Sequence, residues 1–76
     1  MEIYPNSIYE HYKGQRYRII AIATFSEDIS QRLVVYEALY ANKVSQVWAR
    51  PEAMFLEMVQ LEGRAIPRFK LIEQGL

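Results

Sequence analysis

The chain has no cysteine and only one histidine among its 76 residues. A disulfide framework and a thiolate metal site are both excluded. His11 alone does not make a histidine-rich metal centre, and no carboxylate spacing around it suggests a mixed one. Glycine is scarce, at three residues, so no phosphate-cradling glycine loop can be built. No cofactor is therefore expected. An excess of one charge is also missing: nine Lys plus Arg balance nine Asp plus Glu. Proteins held to nucleic acid by phosphate contacts usually show a basic excess. No apolar run approaches the roughly 20 residues of a membrane span. The opening "MEIYPNS" lacks the basic and apolar regions of a signal peptide. The expectation is a cytoplasmic protein with no membrane contact, and the lack of cysteine fits a reducing compartment.

Aromatic residues are abundant: six Tyr, three Phe and one Trp. Hydrophobic residues make up 51% of the chain, too many for a disordered segment. A chain of this length forms one domain, residues 1–76. It buries only about 60% of the surface exposed on unfolding. Stability is expected to be modest or helped by self-association, with a homodimer as one outcome.

The hydrophobic pattern has period two over most of the chain. Ile8, Glu10 and Tyr12 alternate with Tyr9, His11 and Lys13, which suits a short strand ending at a Gly14–Gln15 turn. Tyr17, Ile19, Ala21, Ala23 and Phe25 then share one side of an extended strand, opposite Arg16, Arg18, Ile20 and Ile22. In "RLVVYEALY", Val34, Tyr36, Ala38 and Tyr40 fall together, and adjacent valines favour a strand over a helix. A third strand begins at Val47–Trp48. The stretch "PEAMFLEMVQLEG" is ambiguous: its helix formers and Pro51 suit a helix, while Glu57, Val59 and Leu61 alternate like a strand. Glu62–Gly63 reads as a hairpin turn, and Pro67 as an edge strand or bulge.

"HYKGQRYRI", "VVYEALY", "WARPEAMF" and "IPRF", in this order and spacing, resemble a small bacterial family catalogued as domain of unknown function 1653. The resemblance runs from about Ser7 to Ile72. It favours a hairpin over a long helix between Met58 and Lys70, and leaves a short helical turn near 51–55. Many members of that family carry His-Ser-Glu where this chain has Phe25-Ser26-Glu27, so a role for that histidine does not transfer. The resemblance supplies a pattern and no activity. Five short strands with one helical turn suggest a mainly β fold: a small, strongly bent, five-stranded antiparallel barrel of SH3-like type. An open antiparallel sheet that dimerises through an edge or an uncovered face is the alternative.

Trp48 and Arg50, two apart on an extended segment, should face one side. Tryptophan and arginine dominate binding hot spots. Met54 and Phe55 read as a plug for the end of the barrel. The candidate binding surface comprises Trp48, Arg50, Tyr36 and Tyr40, with His11 and Arg68 beside them. Arg16, Arg18, Arg68 and Lys70 form a basic stripe if their strands are neighbours, or else pair with carboxylates across strands. His11 lacks a motif supplying an orienting carboxylate or a nucleophile, which argues against an enzyme. The expected function is a non-catalytic binding or adaptor module that recognises a protein or peptide. Weak single-stranded nucleic-acid binding and purely structural self-association are the alternatives.

Overall fold

The computed structural model describes residues 2–75. Seven strands and one helical turn follow in chain order: β1 (Ile8–His11), β2 (Arg16–Thr24), β3 (Arg32–Ala38), β4 (Val47–Pro51), α1 (Glu52–Phe55), β5 (Met58–Leu61), β6 (Arg64–Pro67) and β7 (Phe69–Glu73). Five of the strands form one antiparallel sheet in the order β4-β3-β2-β1-β7, and β5 and β6 pair only with each other. The fold is mainly β, as the period-two pattern implies. The expected closed barrel does not form, because its end strands β4 and β7 share no ladder.

The reason lies at Pro67 and Arg68. One continuous strand from Arg64 to Ile72 would have joined the last hairpin to the main sheet. Instead β6 ends at Pro67, which has no N–H to donate. Arg68 then divides its backbone between two partners. Its N–H donates to the Glu57 carbonyl at 3.0 Å, and its carbonyl accepts from Tyr12 N–H at 3.0 Å. The chain leaves the hairpin there and starts β7 beside β1, with Phe69 opposite His11. The β5–β6 turn places both Glu62 (φ 52°) and Gly63 (φ 76°) in the left-handed region, as two-residue hairpin loops of type I′ require.

A β-bulge sets which side chains of β2 face inward. Ile19 pairs with Tyr36 and Ala21 with Val35, so Ile20 is the extra residue. The strict alternation expected for β2 therefore breaks. Tyr17 and Ile19 face the core before the bulge, and Ile22, opposite Val34, packs on it afterwards. Ile20, set apart by the bulge, is exposed.

The sheet is curled around one aromatic core of Ile3, Tyr9, Ile19, Val34, Tyr36, Phe55 and Phe69. Five strands laid flat would put the outer two about 19 Å apart. Here the Arg50 guanidinium on β4 lies 5.5 Å from the centre of the Phe69 ring on β7. Phe55 on α1 fills the concave side. It stacks on Phe69 (4.1 Å, 6°) and meets Tyr9 and Tyr36 edge-on at 5.2 and 5.6 Å. Phe55 is 1% exposed, whereas Met54 is 47% exposed and so does not join it as a plug. The difference follows from a single helical turn, which presents only one side to the core.

The segment before β1 extends its pairing with β2. Asn6 N–H donates to the Ile19 carbonyl (2.8 Å), and Ile19 N–H donates to the Ser7 carbonyl (2.9 Å). Ser7 is 1% exposed, and its hydroxyl accepts the Gly75 N–H at 2.8 Å. The two ends of the described chain thus meet. A Cβ at Gly75 would run into the backbone of Pro5, Asn6 and Ser7.

Candidate functional site

A cleft of about 230 Å³ opens between the two end strands of the sheet. Its lining is His11 from β1, Tyr17 from β2, Tyr36 from β3, Trp48 and Arg50 from β4, Phe69 from β7, and Asn42 from the β3–β4 loop. Trp48 sits opposite Tyr36 and Arg50 opposite Val34 in the β3–β4 ladder, so both point to the concave side. Both are half-buried. The open seam of the unclosed sheet therefore carries Tyr36, Trp48, Arg50 and His11 of the residues that the sequence singles out.

The β3–β4 loop holds one wall. Asn42 Oδ1 accepts the N–H groups of Val44 (2.9 Å) and Ser45 (3.3 Å), a local Asx turn. Its Nδ2 donates to the Tyr40 hydroxyl at 2.9 Å. The Tyr40 and Tyr17 hydroxyls share a 2.6 Å hydrogen bond. Gln46 Nε2 ties the loop to the Ala38 and Tyr40 carbonyls at 2.6 and 2.8 Å. Burial, reinforced by the hydrogen bond to Tyr40, raises the Tyr17 pKa well above that of a free phenol, so the Tyr17 hydroxyl keeps its proton.

Arg50 is the cleft's cation. It makes no ion pair among the described residues and rests over the Phe69 ring. None of the lining residues is acidic. The ring N–H of Trp48 is shielded from solvent and has no acceptor among the described residues. His11 packs edge-on against Phe69 at 5.0 Å, and its Nδ1 accepts the Lys13 N–H at 3.2 Å. In the neutral ring the proton is therefore on Nε2. Burial, followed by the positive charges of Arg50, Lys13 and Arg68, lowers the His11 pKa, so the neutral ring is favoured.

The candidate residues separate into two groups. His11, Tyr36, Trp48 and Arg50 meet at the cleft, and Tyr40 braces its wall through Tyr17 and Asn42. Arg68 does not line it and pairs with Glu57 at 3.4 Å. The proposed basic stripe is largely neutralised. Arg16 pairs with Glu10 at 3.1 Å and Arg18 with Glu37 at 3.5 Å, both across neighbouring strands. Three lining residues were not anticipated: Tyr17, Asn42 and Phe69. The polar "ANKVSQ" loop contained the Asx-turn signal for Asn42. The approach of β7 to β4, which brings in Phe69, has no local signal.

A second, larger depression of about 460 Å³ lies against the last hairpin, bordered by Tyr4, Tyr9, Leu56, Met58, Phe69 and Leu71. Among the described residues, no group of three or more His, Cys, Asp or Glu could hold a metal ion. No helix among the described residues is long and apolar enough to cross a membrane.

The family described as "Protein of unknown function (DUF1653)" matches residues 7–71. The chain belongs to the DUF1653 family. A crystal structure of a DUF1653 protein from Bordetella bronchiseptica is similar along almost its full length. The two share 28% identity with a TM-score of 0.84, over 99% of this chain and 94% of that one. No curated protein matches. DUF1653 membership carries no activity with it, so a functional reading rests on the cleft.

Proposed function

We propose that this DUF1653 chain is a non-catalytic binding module that recognises a protein or peptide at the cleft between β4 and β7. The observation that carries this reading is Arg50: a half-buried arginine without a carboxylate partner among the described residues, set among Tyr36, Trp48 and Phe69. Arginine and tryptophan in a partly desolvated pocket are the side chains that contribute most to protein interfaces. Their cost of ordering is already partly met, because Arg50 is held over Phe69 and Trp48 is fixed in the ladder.

Single-stranded nucleic acid fits this surface less well. Stacked bases need aromatic faces accompanied by several free cations. Arg16, Arg18 and Arg68 are each engaged by a glutamate. Catalysis by His11 also lacks support, since no carboxylate lines the cleft to orient the imidazole.

The test is selection of peptides from a random display library on the wild-type protein, followed by binding to Trp48→Ala and Arg50→Ala variants. Enriched peptides should bind the wild type and lose most of their affinity for both variants. Peptides that bind all three proteins equally, or a selection that enriches nothing, would remove the reading.

A further inference from the structure

Ion pairs with glutamates engage Arg16, Arg18, Arg32 and Arg68. Arg50 differs from these in having no ion pair among the described residues while facing a cleft lined by no acidic residue. Its contact with the Phe69 ring engages the cation's charge but supplies no hydrogen-bond acceptor in the plane of the guanidinium. That plane carries a fork of N–H donors matched to the two oxygens of a carboxylate. Other polar groups at the cleft add donors. The neutral His11 ring carries its hydrogen on Nε2, and the Trp48 ring N–H lacks an acceptor. Trp48 is shielded, so an acceptor reaches it only with a small shift of its neighbours.

We infer that the cleft is a carboxylate pocket. Arg50 receives the carboxylate of an acidic side chain or of a chain terminus, carried by a polypeptide. The half-buried Trp48 ring covers the carbon stem behind it, with the buried rings of Tyr36 and Phe69 as the floor. The inference rests on the reading of the chain as a peptide-binding module and specifies what that module recognises. The volume, about 230 Å³, is below the range of drug-sized pockets and suits one side chain or one terminus. A single unpaired arginine balances a monoanion. A phosphate dianion calls for more cationic donors than the lining supplies.

Trp48 is the sole tryptophan, so its fluorescence reports on the cleft directly. Three peptides, identical and uncharged apart from the carboxylate under test, serve as probes: one with a free C-terminal carboxylate, one amidated with an internal glutamate, and one amidated with glutamine in its place. Inorganic phosphate is the fourth probe. A carboxylate-bearing peptide should change Trp48 emission saturably, and which one does so identifies the source of the carboxylate. The amidated glutamine peptide and phosphate should bind at least tenfold more weakly. Arg50→Gln should weaken the carboxylate peptide by roughly ten- to a hundredfold, the worth of a charge-assisted hydrogen bond. Arg50→Lys, which keeps the charge but not the fork, should fall between. The inference is overturned if the glutamine peptide binds as well as its carboxylate partners, if phosphate binds more tightly, or if no probe produces a response at millimolar concentration. Peptides selected on the cleft that need no carboxylate would also overturn it, while leaving the binding-module reading intact.

Discussion

Phe55→Ala is the perturbation that most directly tests how the curled sheet is held. The ring is 1% exposed and stacks on Phe69 while meeting Tyr9 and Tyr36 edge-on. Truncating a buried phenylalanine to alanine costs about 3–5 kcal/mol, from lost transfer energy and the cavity left behind. The upper part of that range applies here, since the stacked and edge-on ring contacts are lost along with the buried area. At about 0.05–0.15 kcal/mol per residue, a 76-residue domain has roughly 4–11 kcal/mol in total. The variant should therefore lose about half its stability. At about 4–8 °C per kcal/mol for a domain of this size, Tm should fall by roughly 16–40 °C. Urea unfolding followed by circular dichroism measures the loss, with Phe55→Leu as a milder control. A Phe55→Ala loss below about 1 kcal/mol would refute the argument, because that ring would then not be what closes the concave side.

Ser7→Ala should cost about 1–2 kcal/mol in the same urea assay, because the Gly75 N–H loses its acceptor in a part-buried position. Acidification tests His11. Its folded pKa is lowered from 6.5, so below that value the unfolded chain binds a proton that the folded chain resists. Stability should be full above pH 6.5 and decline as pH falls towards the depressed folded value. A His11→Gln variant should lack that decline in urea midpoints compared at neutral and mildly acidic pH. Asp28 contributes a separate loss at lower pH, since hydrogen bonds from Ser30 and Gln31 hold its pKa down. His11→Gln should leave that loss unchanged.

Much of the fold is written in local pattern. Alternation marks β1 to β4, Gly14 and Gly63 mark two turns, and Pro51 marks the start of α1. What alternation cannot report is a residue inserted into the ladder. Ile20 looks like any other β-branched strand residue, yet its insertion brings Ile22 onto the core. The division at Pro67–Arg68 is similar. The proline warned of an irregularity, but which sheet the chain would join depends on the Glu57 and Tyr12 backbones, both distant in sequence. The candidate site divides along the same line. Trp48 and Arg50 share a side because they lie two apart on one strand. Their meeting with His11 and Phe69 depends on how far the sheet curls, which is a property of the whole core.

The proposed function makes the Trp48–Arg50 side of β4 a recognition surface. The most direct measurement is the ¹H–¹⁵N spectrum of the protein titrated with a selected peptide. Saturable shifts of the Trp48 ring N–H and of the His11, Asn42 and Arg50 signals are expected, all lost in Arg50→Gln. Shifts confined to the depression around Leu56, Met58 and Leu71, with the Trp48 ring N–H unmoved, would contradict it.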